Sequence, residues 1–233
     1  MVESMLLAHL LGDFVFQTDA LAAWKSRSMW GVLAHGGVVT FSLWVCSLPF
    51  TLDWWPYVLG IGAVHVLIDI VRVKIGRVGP TAGLLLFLAD QAIHALTIVV
   101  ALAGSGWLAP RPAETALGVW LQADHHLTFI LGYVALTMPA WVTVHFLARS
   151  LGAQTTCLPG RPGEKYAGMI ERSLMATFVL LGQFLLVPLV LLPRLILDGR
   201  NGRAKAECVG YLNELLINVG LSVAVGLFLR GLA

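Results

Sequence analysis

Three histidine–aspartate pairs in the first half of the chain share one spacing: His9 with Asp13, His65 with Asp69, and Asp90 with His94. On a helix, residues four apart stand on one face, with Cβ atoms about 5–6 Å apart. Two side chains so placed can ligate one metal ion, or a carboxylate can orient an imidazole. Gln17 extends the first pair by a further four residues, Gln91 follows Asp90, and His35 stands alone between the first two pairs. His9, His35, His65 and His94 with Asp13, Asp69 and Asp90 make a ligand set suited to zinc, manganese or iron. A divalent ion held there acidifies water toward a pKa of about 7, which is the chemistry of a hydrolase. In that scheme all seven are metal ligands and Asp13, Asp69 and Asp90 are the catalytic carboxylates. Gln17 and Gln91 would orient ligands or substrate, while Lys25 and Lys74 would meet an anionic headgroup as point charges.

The elements that carry these residues are apolar. The chain has 233 residues, 58% hydrophobic and 12% charged, with a mean hydropathy of +0.83. A soluble domain carries roughly 25% charged residues, so a soluble enzyme and a disordered chain are both excluded. The net charge is +2, from 15 Lys and Arg against 13 Asp and Glu. No basic stripe accompanies it, which argues against a nucleic-acid partner. Cys46, Cys157 and Cys208 form no C-x-x-C pair and read as packing residues.

A bilayer core takes about 20 apolar residues as helix. Segments of that kind predict spans near 3–18, 30–50, 54–75, 81–104, 127–148, within 168–197, and 208–229. The first lacks a basic n-region and is interrupted by His9, Asp13 and Gln17, so it reads as a retained helix rather than a leader. The expected fold is all-α, a polytopic transmembrane helical bundle of six or seven spans. Residues 1–105 form a four-helix half bearing the His/Asp constellation, 106–125 a non-cytoplasmic loop, and 126–233 the C-terminal membrane helices. Basic residues at 19–28, 72–79 and 149–165 place those loops in the cytoplasm. Arg194, Arg200, Arg203 and Lys205 conflict with that orientation if 168–197 crosses fully, and fit it if that segment is re-entrant. With this orientation the seven His and Asp residues meet between mid-membrane and the cytoplasmic face.

The second half carries weaker signals. Glu171 and Arg172 read as a salt bridge or cap at a helix start, and Gln183 as a polar contact between helices. Glu207, Tyr211, Glu214 and Asn218 fall on one helical face, lining a second polar cavity or a subunit contact.

The ordered set His9-Leu-Leu-Gly-Asp13-Phe-x2-Gln17, Ala22-Ala23-x-Lys25, His35, His65-x3-Asp69 and Asp90-Gln91-x2-His94 resembles a bacterial membrane-protein family, domain of unknown function 3307. The resemblance spans about residues 5–105 and is weaker around Glu171-Arg172, Leu181-Gly182-Gln183 and Ala206-Glu207. The chain departs from the family at Pro193-Arg194-Leu195 and Leu212-Asn213-Glu214. The family implies a multi-pass protein of the bacterial inner membrane and no established activity. A looser likeness exists to membrane-bound metal-dependent hydrolases, which also place His-x3-Asp on a transmembrane helix.

Three functions fit these residues. The leading one is a metal-dependent hydrolase of a lipid or lipid-linked phosphoester. The first rival is a non-enzymatic membrane subunit or partner-binding protein, in a homo-oligomer or beside another membrane protein, whose His–Asp pairs hold the bundle together. The second is a small proton-coupled transporter. It ranks last because the outward half of the first four helices offers no polar lining.

Overall fold

The computed structural model describes residues 1–76, 78–109, 112, 114–151, 162–200 and 209–233, with backbone alone at 124, 162–164, 197–200 and 209–210. Arg77, Arg111, Cys157, Arg161, Arg203, Lys205, Glu207 and Cys208 lie outside the described residues, as do the side chains of Asp124 and Arg200. Among the described residues every regular element is helical. Two compact units divide the chain: Met1–Gly79 with Leu85–Leu131, and Pro80–Leu84 with Gly132–Ala233.

The helices begin and end where local chemistry dictates. α1 (Val2–Leu10) runs on into a π turn over Leu11–Val15. Thr18 then starts α2 (Asp19–Lys25) by accepting from the Leu21 N–H, and Ser28 starts α3 (Met29–Ser47) by accepting from the Trp30 N–H. These caps satisfy donors that no helical carbonyl can reach. α4 (Trp55–Ile75) has Pro56 in its first turn and stops at Gly76, whose φ of +70° favours glycine. α5 (Pro80–Gly104) opens on its own proline. The expected loop 106–125 holds a short helix, α6 (Ala116–Gln122), capped by Thr115. In the first unit α3 is central: α1, the π turn, α2 and α4 all pack on it.

The second unit comprises α7 (His126–Ala135) from Gly132 onward, α8 (Met138–Ser150), α9 (Pro162–Leu180), α10 (Val187–Arg200) and α11 (Val209–Arg230). Met175, Val179, Val187 and Leu191 form its core, with Phe178, Leu215, Val219 and Val223 against them. α9 and α11 approach closely at Gly226, where a Cβ would stand 2.7 Å from that of Val179. Small residues allow such contact between helices in lipid.

The expectation of six or seven spans needs correction. Among the described residues three helices are long and apolar enough to cross a membrane: Met29–Ser47, Pro80–Gly104 and Tyr211–Arg230. A fourth arises if α7 and α8, bent by 43°, act as one. The segment 3–18 breaks at the π turn. α4 has the length but carries His65, Asp69, Arg72 and Lys74. The segment 168–197 breaks between α9 and α10, where Gly182 has φ +75° and Gln183 is exposed instead of lying between helices.

The structure removes Arg194 from the orientation conflict. Arg194 is no loop charge: it donates to Glu214 at 2.6 Å and Glu171 at 3.3 Å. Arg172, 1% exposed, answers the break between α7 and α8. It donates to the carbonyls of Leu136 (2.7 Å) and Thr137 (3.1 Å), and to Asn218 Oδ1 (2.7 Å). The break leaves the Leu136 carbonyl without a helical donor, while the Thr137 carbonyl also accepts from the Trp141 N–H at 3.1 Å, and a guanidinium fork reaches both. Arg172→Ala is expected to cost about 3 kcal/mol by orphaning the Leu136 carbonyl and Asn218 Oδ1. Arg172→Lys should recover little of it. Thermal unfolding in detergent measures both, and an unchanged midpoint for Arg172→Ala would refute this account.

Candidate metal centre

The π turn aims Asp13. Its wider winding carries Asp13 off the regular helical face and toward α3, a use in which π turns are common at functional sites. Gly12 makes the approach feasible, since a Cβ there would stand 2.8 Å from the Val39 Cα. Asp13 Oδ1 then lies 2.9 Å from His35 Nε2. α4 contributes His65 and Asp69, one turn apart as expected, with His65 Nε2 3.3 Å from Asp69 Oδ2. His35 Nε2 lies 3.6 Å from Asp69 Oδ2, and His65 Nε2 3.9 Å from Asp13 Oδ1. All four side chains are buried, His35 and His65 almost completely.

The outer oxygens of the two carboxylates are held by donors. Lys25 Nζ lies 2.7 Å from Asp69 Oδ1 and donates to Gln17 Oε1 at 3.4 Å. Lys25 is brought there by backbone packing, because α2 ends against Gly31 of α3, where no side chain blocks the Trp24–Lys25 peptide. Gln91 Nε2 donates to Asp13 Oδ2 and to Asp90 Oδ2, each at 3.1 Å. Its Oε1 faces His9 Nε2 at 3.2 Å. An amide oxygen only accepts, so His9 Nε2 is the donor. Its place is therefore beside Gln91, supporting the carboxylates rather than offering that nitrogen as a ligand. The His94 ring packs 4.3 Å from the His65 ring and 5.1 Å from the His9 ring, centroid to centroid.

One oxygen of each carboxylate and two imidazole nitrogens thus face one point. The ligand atoms of Asp13, His35 and His65 lie within 4.8 Å of one another. A tetrahedral ion with bonds of about 2.0–2.1 Å spaces its ligands about 3.3 Å apart, within the 2.9–3.9 Å measured here. His65 Nε2 and Asp69 Oδ2 are buried and make no hydrogen bond. Buried polar atoms left so need an occupant, and a divalent cation fits this donor set.

The seven His and Asp residues expected to converge do so, together with Gln17, Lys25 and Gln91. Lys74 does not join them; it is exposed in the last turn of α4. Lys25 does not wait free at a mouth but is already paired with Asp69. The packing of Gly12 and Gly31 had no signal in spacing or composition. Gly12→Ala is expected to push the π turn off α3 and cost about 1–3 kcal/mol. Gly37 on the same helix has nothing within 4 Å of an added Cβ, so Gly37→Ala should hold or gain up to about 1 kcal/mol. Paired thermal unfolding curves test the contrast, and equal shifts would refute it.

The family model described as "Protein of unknown function (DUF3307)" matches residues 1–144, which contain this whole cluster. The likeness read around residues 168–207 lies beyond that match. No curated protein and no solved structure matches the chain. On the strength of a match covering more than half its length, the chain belongs to the DUF3307 family.

Proposed function

We propose that this protein is an integral protein of a bacterial inner membrane that holds a divalent metal ion and hydrolyses a lipid or lipid-linked phosphoester. The observation that carries the reading is the convergence of Asp13, His35 and His65, all buried, with ligand atoms within 4.8 Å. Zinc, manganese and iron suit these ligands. A bound ion supplies Lewis-acid polarisation of a phosphoryl oxygen and an acidified water at neutral pH.

The protein's own residues do the rest. Asp69 Oδ2 completes the ring of donors, and Gln91 and Lys25 keep both carboxylates turned inward. In the reaction a water oxygen bonds to phosphorus and the bond from phosphorus to the alcohol oxygen breaks. One of the carboxylates Asp13, Asp69 or Asp90 takes the proton from water, and the departing alkoxide receives it. Lipids are the expected partners, reaching the cluster from the bilayer past the exposed apolar side chains Phe16, Trp24 and Trp30.

A second reading, a non-enzymatic subunit, is favoured by the same bonds seen as interhelical ties: His35 to Asp13 and Lys25 to Asp69 join four elements. Metal content by mass spectrometry on detergent-purified protein separates the two. The wild type should carry near-stoichiometric metal, and His65→Ala/Asp69→Ala should lose it with little change in thermal midpoint. No metal in either protein, with the variant poorly folded, would overturn the hydrolase and leave packing.

A further inference from the structure

Two further buried atoms of the cluster lie outside the set of Asp13, His35 and His65. His94 Nε2 and Asp90 Oδ1 have no hydrogen-bond partner, and His94 is 3% exposed. His94 Nδ1 lies 2.8 Å from the Asp90 carbonyl oxygen. A carbonyl only accepts, so Nδ1 carries the proton and Nε2 presents a bare lone pair. Metal-binding histidines are held this way, one nitrogen tied to an oxygen and the other turned to the ion. Asp90 is held alike: Gln91 donates to its Oδ2 and leaves Oδ1. Because the Gln91 amide also donates to Asp13 Oδ2, it ties the two donor groups together.

Charge decides when this position can fill. With neutral histidines, the carboxylates of Asp13, Asp69 and Asp90 against the ammonium of Lys25 leave two negative charges. One divalent ion cancels them. A second would leave two positive charges in an apolar bundle, which is costly unless something pairs with them. A phosphate monoester dianion supplies that pairing, and a diester supplies half of it. We infer that His94 and Asp90 form a second divalent-cation position that fills together with a phosphate monoester dianion. Two ions about 3.5–4 Å apart are a recurrent clamp on phosphoryl oxygens. The inference rests on the metal centre proposed above, and it narrows the substrate from a phosphoester to a phosphate monoester.

Manganese uptake by the full-length protein tests it, counted by mass spectrometry and electron paramagnetic resonance. In phosphate-free buffer the wild type should hold one ion per chain. Inorganic phosphate, or vesicles containing phosphatidic acid, should bring in a second ion at least about five-fold more tightly. Vesicles of phosphatidylglycerol, a diester, should not. A response to both probes identifies the phosphate group itself as the ligand; a response to phosphatidic acid alone identifies the lipid form. His94→Gln and Asp90→Asn should keep the first ion and lose the second. The inference falls if the second ion binds equally without phosphate, never binds, or if either folded variant loses the first ion as well. The phosphate dependence is read on the wild type, so a variant that fails to fold leaves the test intact. A wild type with no ion at all is a separate result, and it overturns the metal centre itself.

Discussion

Two carboxylates buried side by side, Asp13 and Asp69, set the terms for the first unit. An ionised side chain taken out of water costs several kcal/mol unless it is paired, and two that face each other add repulsion. Neighbouring elements therefore bring polar partners: His35 from α3, Lys25 from α2 and Gln91 from α5, while His65 Nε2 stands 3.3 Å from Asp69 on their common helix. The close approaches at Gly12 and Gly31 exist to let those donors arrive. Sliding any one element would leave a buried charge unpaired, so the polar cluster fixes the register of an otherwise slippery apolar assembly.

The second unit meets the same problem with another answer. Among the described residues buried Arg172 and Glu214 stand with part-buried Arg194 and Glu171, so the charges balance. Arg172 spends its donors on two carbonyls at a helix break and on Asn218, and Arg194 on two carboxylates. That is the behaviour of ions retained to hold irregular backbone in place. Among the described residues the second unit leaves Glu214 Oε2 buried without a hydrogen bond, and the first unit gathers several such atoms in one cluster. His65, Asp69, Asp90 and His94 each keep a buried atom with no partner, and acceptors predominate among them. A cluster built only for packing gains nothing from such atoms, whereas a cation-binding one needs them.

Much of the site was legible before any coordinates. Asp69 meets His65 because they are one turn apart, and four-residue spacing on a helix leaves no other outcome. Gln91 could be singled out for its place beside Asp90. Lys25 could be singled out as a cation for an anionic headgroup, but not as the partner of Asp69, because that depends on α2 docking against Gly31. Arg194 was misread as a loop charge, since composition cannot tell an arginine in water from one reaching two glutamates on other helices. The span count failed where a single glycine or a π turn divides an apolar run, as at Gly182 and Leu11–Val15. Hydropathy averages over such points.

By itself, then, the sequence determined an all-helical chain, its apolar character, and which seven His and Asp residues belong together. Those follow from composition and from helical period, both local properties. Tertiary structure alone decided which oxygen of each carboxylate faces inward, which histidine nitrogen is bare, and which lysine is already paired. These depend on contacts between residues up to 82 positions apart, and a hydrogen bond's direction is set by the partner that packing delivers.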